Sequence, residues 1–104
     1  MVPVARGLGV MISEKKLEKL LIKLAAEHGW LQRKVKWIGR NGAPDRVLMR
    51  DRPNGQLQII WIELKTTDER PTVQQAKEHQ RMRDAGQYVL VIDNEEELRE
   101  VLSS

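Results

Sequence analysis

Leu17, Leu20, Leu21 and Leu24 recur at helical spacing, with Lys15, Lys16, Lys19 and Lys23 on the opposite side. That pattern predicts an amphipathic helix. Ser13 is placed to cap its first free amides, Glu14 suits the positive end of its dipole, and Gly29 closes it. The period then changes. Polar and apolar residues alternate from Leu31 to Ile38, which predicts a short strand with its lysines turned away from the core. Gly39-Arg40-Asn41-Gly42 sustains neither period and forms a loop. Pro44 fixes the entry to a second strand, Asp45 to Arg50, and Asp51 to Gly55 carries the Pro and Asn-Gly of a hairpin turn. The third strand, Gln56 to Lys65, contains Ile59, Ile60, Trp61, Ile62 and Leu64 and has no consistently polar face, so it is central.

A polar crossing, Thr66 to Pro71, leads to a second helix in which Thr72 and Gln75 stand at capping-box spacing and which ends at Gly86. Tyr88 to Ile92 is a β-branched run, hence a fourth and buried strand. Asn94 and Glu97 make a second capping box for a last helix that lays Leu98, Val101 and Leu102 on the sheet. The order is α-β-β-β-α-β-α. A helix joins the third and fourth strands, so these two are parallel. The expectation is an α/β domain over residues 13–104, with a mixed four-stranded sheet flanked by helices and an irregular leader over residues 1–12.

Composition adds bounds. At 104 residues, 40% hydrophobic and 32% charged, the chain has the material for one globular core. It has no cysteine, which removes disulfides and thiolate metal sites. No apolar run approaches the ~20 residues that span a bilayer, and the start lacks the pattern of a signal peptide.

The net charge of +3 is unevenly spread. Between Trp30 and Arg52 stand seven basic residues (Arg33, Lys34, Lys36, Arg40, Arg46, Arg50, Arg52) and two acidic ones (Asp45, Asp51). The last twelve residues are acidic instead. A basic cluster is either a solvated surface or the footprint of a polyanion.

In and just after that basic stretch the chemistry converges on three residues. Glu63 and Lys65 are two apart and leave the same face of the third strand. They are explained equally by the strand reaching solvent there. Counting back from the hairpin turn, however, brings Asp45 beside Glu63. Two adjoining carboxylates repel and stay ionised at neutral pH only with a cation between them. Mg²⁺ suits such a pair, because it takes one or two carboxylates, keeps several waters and completes its shell with phosphate oxygens. Lys65 can then stabilise charge developing on a phosphodiester. His28 and His79 lie on helices and read as surface or helix-end residues, not as bases. P-loop, zinc-finger and nucleophile-elbow patterns are absent.

Asp45, Glu63 and Lys65 resemble the Asp…Glu-x-Lys signature of the restriction-endonuclease-like nucleases. Gly42-Ala43-Pro44-Asp45-Arg46, Ile62-Glu63-Leu64-Lys65-Thr66, Gln75 and Gly86 together resemble the VRR-NUC family, in the small stand-alone form carried by bacteria and phages. The resemblance spans Ser13 to Leu102. It implies a restriction-endonuclease-like core, with Asp45, Glu63 and the Leu64 main-chain carbonyl as ligands of Mg²⁺ or Mn²⁺ and Lys65 as the catalytic lysine. It also implies an acidic residue on the first helix near the metal, which Glu14 matches best by its distance before Leu20-Leu21-Ile22-Lys23, with Glu18 one turn later as the alternate, and a catalytic role for Gln75 that its capping position explains as well.

The activity so implied is a metal-dependent DNA endonuclease, acting on branched or Holliday-junction DNA as a homodimer in a bacterial cytoplasm. Lys34, Lys36, Arg40 and Arg46 are the candidate contacts to the DNA backbone, which position without reading sequence. A flap-cutting or non-selective nuclease, or a non-catalytic DNA-binding module on the same fold, are the alternatives. No small-molecule cofactor and no membrane partner are expected.

Overall fold

Residues 12–104 are described by the structure, a computed structural model. They run as α1 (Glu14–Glu27), β1 (Leu31–Lys34), β2 (Arg46–Asp51), β3 (Leu57–Leu64), α2 (Val73–Asp84), β4 (Tyr88–Ile92) and α3 (Glu95–Ser103). The sheet order is β1-β2-β3-β4, antiparallel between the first three strands and parallel between β3 and β4. The α/β order and mixed sheet expected from periodicity are therefore borne out. The expected leader, residues 1–12, lies outside the described residues except for Ile12, which packs against the core and donates its amide to Thr67 Oγ1 at 2.9 Å.

One face of the sheet carries the main core. Ser13 Oγ accepts the Lys16 amide at 3.1 Å to start α1, and Asn94 Oδ1 accepts the Glu97 amide at 2.8 Å to start α3. The two helices pack against each other. They bury Leu17, Leu21, Leu24, Leu98 and Leu102 over Leu48, Ile60, Ile62, Leu64 and Ile92. Each such side chain, taken fully from water, contributes about 1.5–3 kcal/mol. Trp30 seals one end, donating Nε1–H to the Leu102 carbonyl at 2.9 Å while the Arg50 guanidinium lies 4.0 Å over its ring. Among the described residues no helix is long and apolar enough to cross a membrane.

The opposite face is built differently. Val47, Trp61 and Val89 lie side by side in register across β2, β3 and β4. Next to them α2 packs on β4, and Arg83 donates Nη2–H to the Val89 carbonyl at 2.8 Å. The residues that α2 buries are Glu78 and His79.

Three expectations need correction. The first strand ends at Lys34, not Ile38, because Trp37 turns inward: its ring lies 5.4 Å from that of Trp61 and its Nε1–H donates to the Pro44 carbonyl at 2.7 Å. The fourth strand is an edge, with Tyr88 71% exposed, since among the described residues no strand pairs beyond it. His79 is not at the surface or a helix end. It is 1% exposed, in the middle of α2.

Candidate active site

The β2–β3 register pairs Arg46 with Ile62, and one further step sets Asp45 opposite Glu63. Strand alternation turns Glu63, with Trp61, to the face away from Ile60, Ile62 and Leu64. Lys65 follows just past β3, its amide donating to the Ile92 carbonyl at 3.0 Å and its side chain buried.

Asp45 is delivered by a loop held from several sides. The Val35 amide donates to the Asp45 carbonyl at 2.7 Å, extending the β1–β2 ladder, and Pro44 is buried. Trp37 holds the Pro44 carbonyl, as above. Gly42 has φ +87 and lies so close to the start of α2 that a Cβ would come within 2.9 Å of the Gln74 carbonyl oxygen. Only glycine meets both demands. Buried His79 makes a hydrogen bond to the Gly42 backbone from below. Burial, and after it the Arg83 charge, hold the imidazole under its usual range, with the Gly42 bond as a partial offset. Sequence reading passed over both clamps. Trp37 gave no signal, but His79 stands four residues after Gln75 and so shares its helix face.

The electrostatics single out Glu63. Burial pushes its carboxyl up to about 7, and the Asp45 carboxylate pushes the same way; Lys65 opposes them, while Glu14 and Glu69 add smaller upward pushes. These groups therefore share one field. Glu69 is itself held below the usual carboxylate range, chiefly by the Thr66 amide at 3.0 Å and the Thr66 hydroxyl at 3.1 Å.

Glu14 and Glu18 are separated by the structure. Glu14 acts on Glu63, whereas Glu18 faces away: its Oε2 lies 2.8 Å from Arg46 Nη2 and 3.5 Å from Lys34 Nζ, and the Arg46 hydrogen bond holds its carboxyl low. Gln75 is half-buried and its side-chain oxygen accepts the Thr72 amide at 2.9 Å, completing the capping box. It is beside Gly42 but engaged there as a cap.

The candidate DNA contacts do not share one environment. Lys36 is exposed. Lys34 and Arg40 are exposed but lean on Glu18 and on Glu78, the latter at 3.4 Å. Arg46 is not on the outer surface. It is 6% exposed, its Nη1–H donating to Gln32 Oε1 at 2.6 Å, because alternation from Asp45 turns it to the α1 face.

No protein-family model matches the chain. It is 36% identical over 86 residues to "Putative nuclease p44" of Acyrthosiphon pisum secondary endosymbiont phage 1, an alignment covering 83% of this chain and 88% of the relative. The fold matches a solved structure described as "VRR_NUC domain" with a TM-score of 0.75 and 27% identity, over 88% of this chain and 96% of that one. The chain belongs to the VRR-NUC family.

The donor set of this VRR-NUC chain fits a hard divalent cation. Among the described residues no three His, Cys, Asp or Glu side chains gather closely enough to cage a metal. That leaves an oxygen pair, Asp45 and Glu63, which suits an ion that retains waters and does not suit zinc's closed four-ligand sites. Glu63, protonated to about pH 7 by burial and by Asp45, is the carboxyl that a cation between them would return to its ionised form.

Proposed function

We propose that residues 13–104 act as one nuclease domain, a divalent-metal-dependent DNA endonuclease that hydrolyses phosphodiester bonds in branched or junction DNA. The observation that carries this reading is the placement of Asp45 opposite Glu63 with Lys65 two residues on, in a chain of the VRR-NUC family. Asp45, Glu63 and the Leu64 carbonyl would hold Mg²⁺ or Mn²⁺, with Glu14 the acidic residue that α1 brings near. A cation held there would supply Lewis acidity toward the scissile phosphate and toward a bound water.

The chain's own residues do the rest. Lys65, buried beside Glu63, offers a fixed positive charge to the negative charge that grows on the phosphate. The Trp37 and His79 clamps hold the Asp45 loop so that little reorganisation accompanies substrate binding. Lys36, Lys34 and Arg40 contact the DNA backbone, and Arg46 instead braces α1 against β2. Gln75, next to Gly42 under the Asp45 loop, would serve catalysis from there while it caps α2. A homodimer would set two such sites on a four-way substrate. The cytoplasm is the proposed compartment.

A cleavage panel over linear, flap and four-way DNA, with and without Mg²⁺ or Mn²⁺, tests this. Metal-dependent cutting that is fastest on the four-way substrate and lost in Asp45→Ala and Lys65→Ala is the expected result. Full activity in either variant would overturn the site, and equal rates on all substrates would favour a non-selective nuclease. DNA binding without cleavage would favour the binding-module alternative, and light scattering of the purified protein decides the dimer.

A further inference from the structure

We propose that Ile38 is an apolar wedge that packs on a base face left unstacked at the branch point of the DNA, so that the loop delivering Asp45 also selects the substrate's shape. The inference rests on the nuclease reading for its substrate and on separate geometry for its mechanism.

Ile38 is 94% exposed, the highest value among the exposed large apolar residues. A lone exposed aliphatic residue is ordinary on protein surfaces. What distinguishes Ile38 is how it is presented. Its neighbour Trp37 is turned inward, stacked on Trp61 and bonded to the Pro44 carbonyl. Gly39 follows with φ +72, and Gly42 is pressed against Gln74 and Gln75 with φ +87. Arg40 is tied to buried Glu78 at 3.4 Å. The chain is held by Trp37 just before Ile38 and by the Arg40–Glu78 ion pair and the Gly42 contact after it, while the Ile38 side chain itself lies in solvent.

Its position supplies the second argument. Trp37 holds the carbonyl of the residue before Asp45, so the base of the tip and the carboxylate opposite Glu63 belong to one clamped unit. Lys36, two residues before, is an exposed cation suited to the phosphates that flank a base, and Arg40, two residues after, keeps half of its side chain in solvent beside Glu78. An apolar side chain bracketed by cations matches the surface of an unstacked nucleotide, whose base face is apolar and whose backbone is anionic. Continuous duplex offers no such face, since its bases are stacked.

The test uses the full chain in an uncleaving background, Lys65→Ala, bound to a four-way junction carrying 2-aminopurine at the branch. Ile38→Ser and Ile38→Phe are compared with Ile38, and the side chain's exposure removes folding as a complication. The expected result is a rise in aminopurine fluorescence with Ile38, little rise with Ile38→Ser, and recovery with Ile38→Phe. In the active protein the branched-to-linear cleavage ratio of Ile38→Ser should fall about tenfold, the loss of one stacking contact. An aminopurine signal identical in Ile38 and Ile38→Ser would overturn the wedge. A signal that depends on Ile38 in a protein that cuts no DNA would keep the wedge and overturn the nuclease reading instead. A change of oligomeric state in Ile38→Ser, with the signal unaltered, would overturn it in favour of a contact between copies of the chain.

Discussion

Arg46 closes on Glu18 with 2.8 Å between Nη2 and Oε2, on the side of the sheet opposite to Asp45, its neighbour in sequence. One residue of the pair Asp45-Arg46 thus faces the site and the other ties β2 to α1. The division predicts that the two acidic residues of α1 behave differently. Glu18→Gln leaves the buried guanidinium without its carboxylate and should lower stability by about 2 kcal/mol, less than a fully buried pair would cost because Glu18 is partly exposed. Glu14→Gln should leave stability within about 0.5 kcal/mol, as an exposed substitution, and weaken Mn²⁺ binding. Urea denaturation and Mn²⁺ titration of both variants check this; weakened metal binding in Glu18→Gln alone would reverse the assignment.

Gly42→Ala should be costly for two reasons that act together. The new Cβ would meet the Gln74 carbonyl at 2.9 Å, and φ +87 is strained for any residue with a side chain. A loss of about 2–3 kcal/mol follows if the loop stays in place. If the loop moves to relieve the clash, Asp45 leaves Glu63 and cleavage falls more than stability does. Thermal unfolding measured beside the cleavage rate separates the two responses.

Trp37→Phe keeps an aromatic ring against Trp61 and removes only the bond to the Pro44 carbonyl. Stability should fall by about 1 kcal/mol, the net worth of one hydrogen bond. The effect on turnover should be larger, roughly tenfold or more, because a displacement on the order of 1 Å at a carboxylate proposed to hold the metal is expensive in rate. KM for DNA should rise less than turnover falls, since Lys36 and Arg40 keep their charges on either side of the substituted ring. Single-turnover kinetics against substrate concentration would show the split, and a rise in KM with the rate unchanged would argue against a positioning role.

Much of this arrangement was legible before any coordinates. The leucine spacing marked α1, the Asn-Gly turn marked the β2–β3 hairpin, and counting back from that turn put Asp45 beside Glu63. What escaped notice depends on contacts distant in sequence. Trp37 continued an alternating pattern yet left the strand to meet Pro44 and Trp61. His79 looked like one more polar residue on a polar helix, because α2 buries Glu78 and His79 where periodicity looks for leucines. Arg46 read as one cation in a basic cluster; only its alternation with Asp45, a parity argument available in the sequence, foretold that it would point inward. Spacing favoured Glu14 over Glu18 but did not exclude the latter, since both lie in the first turns of α1 and only the Arg46 partner of Glu18 tells them apart.

Glu63 supplies the last prediction, which links pH, metal and stability. In the metal-free protein its carboxyl holds a proton up to about pH 7, against an ordinary value of 4.5. The folded state therefore binds a proton that the unfolded chain has released. This group's stabilisation is complete below about pH 4.5 and is lost as pH rises through 7. Allowing for the part of the carboxyl that water still screens, the loss is about 2 kcal/mol. His79 works in the other direction: its imidazole is held low, so its contribution is present above its ordinary range, near 6.5, and falls away as pH drops through its lowered folded value. Glu63→Gln isolates the first effect, because it removes the carboxylate and leaves His79 in place. Unfolding free energies of wild type and Glu63→Gln in EDTA, from pH 5 to 8, should diverge as pH rises, with the wild type becoming the less stable of the two. Adding Mn²⁺ should reverse the order at pH 8 and have little effect at pH 5, where the proton occupies the carboxylate that the cation needs. A gap between the two proteins that is flat with pH in EDTA would mean that Glu63 is ionised without a cation, and the argument that the pair is built for one would fail.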